Sequence, residues 1–381
     1  MPTARPSTPA GVAQLCLFTI DADEADLQPE NSKAAPSDSA NSIPRVDHED
    51  SGPCSDSVRE QQSAENFVGA GGGQSSRDTL FGVRRTRGLS RFVPTFEHDF
   101  RITDAHQIGA GGWKQKLKDN LEAIRTLKEI ESEERSATAQ EQARLVRYVG
   151  WGAFPQVFEQ CPREEWKSPS AELATLLTAE EFASARASTP NAHYTSAELI
   201  RFLWHSLERL GLQPGVQVLE PACGVGHFFG LMPVHLLAGS RRTGVELDSI
   251  SARIAQKLYP DSVILESAFE QAALPDQFYD IVIGNVPFGN VPVYDPTYRR
   301  QPALTRSLHD YFLVKSVDKV RGGGLIALIT SFYSMDKRDA AVRRHLAERA
   351  TLIAAYRLPN TAFLANAGTK VTTDVLFLRK N

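Results

Sequence analysis

The chain has 381 residues, 41% of them hydrophobic and 23% charged, with a net charge of −4 at neutral pH. That length allows two or three domains, and the balance excludes a strongly basic or strongly acidic protein overall. Cys16, Cys54, Cys161 and Cys223 show no paired spacing, which speaks against a disulfide framework or a zinc site and suits a reducing cytoplasm. No apolar run approaches about eighteen residues, so no membrane span is expected.

Residues 1–80 carry 13 acidic against 5 basic side chains, a net of −8, and are rich in Pro, Ser, Ala and Gly. Such a segment cannot bury enough apolar surface to offset its ordering entropy, so it reads as a disordered acidic tail. The apolar run Gly11–Ile20 has no basic segment before it and is not read as a secretory signal. Removing the tail's −8 from the total of −4 leaves +4 on residues 81–381, a balance that permits a nucleic-acid partner.

Order is expected from about Thr79, and residues 81–190 read as a basic lead-in followed by a small helical domain. Residues 81–118 hold Arg84, Arg85, Arg87, Arg91, Arg101, Lys114, Lys116 and Lys118; a solvated lead-in and a phosphate-gripping arm both fit them. Trp113, Leu117, Leu121, Ile124, Leu127 and Ile130 recur every three or four residues and predict one apolar helix face. Thr138 and Glu141 form a capping-box pair that opens a second helix running toward Gly150. Trp151-Gly-Ala-Phe154 reads as a packing corner.

From Asn191 the pattern alternates. Thr195 with Glu198 is expected to cap a helix that turns Ile200, Leu203, Trp204, Leu207 and Leu210 inward. Strands are predicted at 216–219, 242–246, 263–266, 280–284, 324–331, 351–358 and 372–379. Helices are predicted at 227–237, 249–259, 308–321 and 338–349. Strands alternating with helices imply a mainly parallel sheet covered on both faces. The segment Asn360–Lys370 is too short for a crossover helix, which predicts an antiparallel pair at one edge. Residues 191–381 therefore form the domain expected to carry the chemistry.

In open α/β sheets, ligands sit beyond the carboxyl ends of the strands. After the first strand, Glu220-Pro-Ala222-Cys223-Gly224-Val-Gly226 turns into a helix, with glycines where backbone must lie against a ligand. After the second, Gly244-Val-Glu246-Leu247-Asp248 offers an acid at the place that grips ribose hydroxyls, with Asp248 expected as a helix cap. Phe229 stands where a dinucleotide fingerprint has its third glycine, and no Gly-Lys-Ser/Thr phosphate loop occurs, which disfavours dehydrogenase and ATPase readings. After the fourth strand, Asn285-Val286-Pro287-Phe288 supplies a carboxamide, a backbone carbonyl and an aromatic face, a set suited to an extruded adenine. A tight turn with a core Phe is the plain alternative. Cys223 reads as a small buried residue, and His193 and His309 as hydrogen-bonding side chains near the site.

With Asn191-Ala-His193-Tyr194-Thr195, His309-Asp-Tyr311-Phe312 and Leu358-Pro-Asn-Thr-Ala-Phe363 added, the chain resembles the amino-methylating (N6-adenine) DNA methyltransferases over about residues 95–381. It is most similar to the plasmid- and phage-borne methylases often fused to helicases. The resemblance implies a Rossmann-like methyltransferase sheet with a reversed edge strand, S-adenosylmethionine as cofactor, DNA as partner, and a setting in restriction–modification or mobile elements. It implies that Tyr194 and Thr195 line the methionine end of the cofactor, that Glu220, Ala222, Cys223, Gly224, Gly226, Glu246 and Leu247 complete its site, and that Phe269 stacks on its adenine. The chain departs from the family pattern at Val286, where proline is usual, and at Ser267-Ala268-Phe269-Glu270, where an acid is usual at Ala268. Because only the carbonyl of residue 286 is needed, Val286→Pro is expected to be tolerated or to improve turnover.

The implied reaction moves a methyl group to the exocyclic N6 amine. Asn285 Oδ1 and the Val286 carbonyl accept its N–H bonds, Pro287 stiffens the loop, and Phe288 stacks on the base. Arg299, Arg300, Arg306, His309 and Tyr311 are the nucleic-acid candidates, though a solvated loop accounts for the three arginines equally well, and no metal is expected. A methyltransferase for RNA or protein amide, and a binding fragment dependent on a partner chain for target recognition or helicase function, remain the alternative readings.

Overall fold

The structure, a computed structural model, describes residues 98–190, 194–363 and 371–381. The acidic tail, the expected start of order at Thr79, Arg84 to Arg91 and His193 lie outside the described residues.

Four helices precede the sheet: α1 (Trp113–Ser132), α2 (Ala139–Leu145), α3 (Glu164–Leu176) and α4 (Ala179–Ser188). The apolar stripe of α1 is buried from Leu117 to Ile130, while Trp113 stays 37% exposed. The Thr138 capping box forms as predicted: Glu141 N–H donates to Thr138 Oγ1 at 3.3 Å and Thr138 N–H to Glu141 Oε2 at 2.8 Å. Next comes α5 (Ala197–Arg209), whose cap is Ser196 rather than Thr195; Leu199 N–H donates to Ser196 Oγ. Thr195 is left to serve elsewhere.

The sheet and its connections run β1 (Gln217–Glu220), α6 (His227–Gly230), α7 (Val234–Leu237), β2 (Arg241–Glu246), α8 (Ser249–Leu258), β3 (Val263–Glu266) and β4 (Tyr279–Asn285). They continue with α9 (Leu308–Lys319), β5 (Val320–Ser331), α10 (Tyr333–Asp336), α11 (Ala341–Ala347), β6 (Ala350–Leu358) and β7 (Thr373–Lys380). The predicted helix 227–237 is broken because Pro233 has no N–H to donate and fits only at a helix start. The predicted helix 338–349 shortens to α11. β5 begins earlier than expected, at Val320 opposite Tyr279, so that Gly322-Gly-Gly324 falls inside the strand at a register shift before Leu325 pairs with Ile281.

The strand order is β3-β2-β1-β4-β5-β7-β6, all parallel except β7, which pairs antiparallel with both β5 and β6. This is the mainly parallel seven-stranded, Rossmann-like sheet expected, with its antiparallel pair at one edge. The reversed strand itself is not the edge strand; β6 holds that place. Side chains alternate along each strand, and the alternation feeds two cores. Val218, Ile281, Ile283, Ala327, Ile329 and Phe377 pack toward α1 to α8, while Leu219, Val282, Ile326, Leu328 and Leu376 pack toward α9 and α11. Helices α1, α2 and α4 pack on α8, so the helical layer and the sheet share the first core.

Candidate functional site

The carboxyl ends of β1, β2, β3 and β4 open into a cavity of about 440 Å³, within the range of about 300–1,000 Å³ typical of small-molecule sites. The β1 turn is closed by Cys223 N–H on the Val245 carbonyl (2.9 Å) and Gly226 N–H on the Cys223 carbonyl (2.8 Å). Gly224 lines the cavity at φ +53°, and a Cβ there would stand 3.2 Å from the Tyr194 hydroxyl. Gly226, at φ +79°, does not line it; its missing side chain makes room for the Tyr259 ring, which a Cβ would meet at 2.5 Å. Packing against Tyr259 is thus the role the geometry gives Gly226. Cys223 is 5% exposed and its thiol is pushed up by burial, as a small interior residue should be.

Two acids dominate the floor. Glu246 Oε2 accepts from Gly224 N–H at 2.7 Å and Oε1 from Asp248 N–H at 2.8 Å, tying the β2 end to the β1 turn. Burial, then the nearby Asp248, pushes the Glu246 carboxyl up to about 7 against the pull of those N–H groups. Glu220 is 2% exposed, and its Oε2 has no hydrogen-bond partner among the described residues. Burial and the Glu246 charge push its carboxyl well above the ordinary range. Asp248 and Glu270 also line the cavity, but no Lys or Arg among the described residues does. The lining His227, its Nε2 against the Val146 carbonyl at 2.9 Å, is pushed down to about 4 by burial and is neutral near pH 7.

Asn285 closes β4 at the cavity wall. Its Nδ2 donates to Thr195 Oγ1 at 3.2 Å, leaving Oδ1, the acceptor end, on the other side of the carboxamide. Thr195, 6% exposed, holds this post instead of capping α5. Val286 turns its side chain into the second core, and its N–H donates to the Ile329 carbonyl at 3.0 Å. That bond overturns the expectation for Val286→Pro, because proline would remove a donor in use. Pro287 lines the cavity; Phe288 does not, and packs half-buried against residues of both cores.

Tyr194, Thr195, Glu220, Ala222, Cys223, Gly224, Glu246, Leu247 and Phe269 are brought together around the cavity. Phe269 is stacked on Phe312, with centroids 4.9 Å apart, and both line it. The expected nucleic-acid group splits. Arg299, Arg300 and Arg306 are exposed. His309 and Tyr311 are 1% and 0% exposed, inside α9, where Tyr311 donates to Asp295 at 2.8 Å; this corrects their reading as nucleic-acid contacts. Sequence reasoning missed Ser184, Ala187 and Ser188 of α4, which form one wall, and Phe312, although its motif was noticed. Ser184 Oγ donates to Asp248 Oδ1 at 3.3 Å, a pairing across 64 positions with no local signal. Among the described residues, no group of three or more His, Cys, Asp or Glu is placed to hold a metal ion.

A sequence model of the N-6 DNA methylase family matches residues 176–381. The Defense against restriction protein B of Escherichia phage P1 is 33% identical over 196 residues, 50% of this chain but 8% of that protein. Among solved structures, the type I restriction-modification methyltransferase subunit from Streptococcus thermophilus is 16% identical, with a TM-score of 0.44 over 64% of this chain and 55% of that one. A modification subunit of a proposed type I restriction enzyme from Vibrio vulnificus YJ016 is 22% identical, with a TM-score of 0.42 over 57% and 50%.

Proposed function

The chain belongs to the N-6 DNA methylase family, and we propose that it transfers a methyl group from S-adenosylmethionine to the exocyclic N6 amine of an adenine extruded from DNA. The observation that carries the reading is the acidic lining of the cavity beside Asn285: among the described residues Glu220, Glu246, Asp248 and Glu270 line it, with no Lys or Arg. A dinucleotide or nucleoside triphosphate would bring negative charge against these acids. S-adenosylmethionine brings a net positive charge, since its sulfonium and ammonium outweigh its carboxylate. Glu220 Oε2, buried with no hydrogen-bond partner among the described residues, resists ionisation on its own, and an arriving cation favours its charged form.

When bound, the cofactor supplies an electrophilic methyl group. Glu246 accepts from ribose hydroxyls, Gly224 lets the backbone close on the methionine end beside Tyr194, and Phe269 offers its ring to the adenine. The target amine is a poor nucleophile because its lone pair is delocalised into the ring. Asn285 Oδ1 and the Val286 carbonyl accept its two N–H bonds and localise that lone pair toward the methyl group, a stabilisation by positioned acceptors. Thr195 holds the carboxamide at its Nδ2, and Phe288 is the aromatic offered to the base, a stacking interaction worth about 1–3 kcal/mol. Target recognition comes from a partner chain or a further region, and the reaction takes place in the cytoplasm.

Mass spectrometry of nucleosides from DNA incubated with the full chain and S-adenosylmethionine tests this reading. N6-methyladenine is the expected product. Methylcytosine, or label found only in RNA or protein, refutes it.

A further inference from the structure

The loop between β4 and α9 raises Tyr294 at the cavity mouth with 81% of its surface exposed, and Val291 beside it with 57%. An aromatic so exposed contributes nothing to the core. The loop beneath it is nevertheless stiff. Leu308 N–H closes on the Gly289 carbonyl at 3.0 Å, and Val293 N–H on the Thr305 carbonyl at 2.8 Å. The next residue, Asp295, is 5% exposed and accepts from Tyr311 Oη at 2.8 Å, Lys315 Nζ at 3.1 Å and Thr297 N–H at 2.9 Å. Buried Lys315 in turn lies 5.1 Å from the centroid of the Phe269 ring. A large ring held out from a clamped base loses little conformational freedom when it meets a partner.

We propose that Tyr294 enters the DNA duplex beside the target adenine and occupies the space that the extruded base leaves. The proposal rests on the reading of the cavity as an adenine-methylating site. Three features favour this role. The exposed ring lines the same cavity as Asn285 and Pro287, so it lies on the side from which a base would enter. A planar aromatic restores stacking for either neighbouring base pair without regard to sequence. Arg299 and Arg300 follow on the same segment, exposed and with no ion pair to any described residue, where they suit flanking phosphates.

The test compares the wild-type chain with Tyr294→Ala and Tyr294→Phe on three forms of the DNA that the wild type methylates. These are the matched duplex, the same duplex with the target adenine opposite an abasic site, and the single strand. Tyr294→Ala should slow methylation of the matched duplex roughly tenfold to a hundredfold, the rate equivalent of one lost aromatic stack. On the abasic duplex and the single strand, where extrusion is cheap, it should approach wild type, and Tyr294→Phe should behave as wild type throughout. Equal loss on all three substrates, no loss on the matched duplex, or a loss explained by weaker S-adenosylmethionine binding in calorimetry would overturn the role. A wild-type chain that methylates RNA but not DNA overturns it with the adenine-in-DNA reading, and is told apart by the absence of product before any variant is made.

Discussion

Asp99 and Glu220 are both carboxylates deep in the protein, 5% and 2% exposed, and they meet opposite fates. Asp99 is surrounded: it pairs with the buried Arg242 guanidinium and accepts from Asp261 N–H at 2.8 Å and Ser262 Oγ at 3.0 Å. Burial raises its carboxyl, and Arg242 pulls it back. Glu220 has burial and the Glu246 charge acting in the same direction, and among the described residues no cation opposes them. The first acid is a clamp that fastens the segment before α1 to β2. The second has no structural use for its charge, and it faces a cavity. Similar burial with different surroundings therefore separates an acid paired within the fold from one that faces the cavity, where the proposed function places the cofactor.

The largest effect is expected at the clamp. Asp99→Ala strips the Arg242 guanidinium of its buried counter-charge and should cost about 3–5 kcal/mol of stability. Denaturant unfolding checks this; an unchanged midpoint would make the pair incidental. Asn285→Ala should leave the fold and cofactor binding in place and lower the methylation rate on the order of 10²–10³. Full activity in that variant would reduce Asn285 to a turn residue.

Glu220→Gln reverses the pattern of Asp99. Gln keeps the size but cannot ionise toward a bound cation, so stability should stay equal or rise, while S-adenosylmethionine binding weakens roughly tenfold to a hundredfold, the scale of a hydrogen bond to a charged group. Calorimetry on the folded variant decides. If affinity held and stability fell, Glu220 would belong with Asp99.

Glu246 sharpens the same contrast through pH. Its carboxyl is pushed up to about 7, and its ionised form is the better acceptor for ribose hydroxyls. Cofactor affinity should therefore rise with pH and level off above about 7, approaching tenfold per unit on the acid side. The stability contribution runs the other way: ionisation is harder in the folded chain than at the ordinary value of 4.5, so this group's contribution declines as pH rises from there and is constant above about 7. An affinity profile flat across neutrality would remove Glu246 from the ribose site. The smallest effect belongs to Val286→Pro. Losing the N–H donated to the Ile329 carbonyl should cost about 1 kcal/mol, with no gain in turnover; a faster, equally stable variant would contradict it.

Much of this molecule was legible in the linear chain. The seven strands fall close to their predicted places because β-branched runs and turn residues act locally. The loops at the ends of β1, β2 and β4 were legible for the same reason, since Glu220, Gly224, Glu246 and Asn285 sit at fixed offsets from strands that the pattern already located. The Thr138 cap formed where its own residues specified it.

Other features were settled only when distant segments met. The insertion of β7 between β5 and β6, the wall that α4 contributes, and the choice of Ser196 over Thr195 as a cap depend on what packs nearby. So do the burial of His309 and Tyr311, the use of the Val286 N–H, and the Asp99–Arg242 pair separated by 143 positions. Periodicity and capping are properties of neighbouring residues and can be read from them. Burial and partnership arise between residues remote in sequence, and a carboxylate is written identically whether or not the fold brings it a cation.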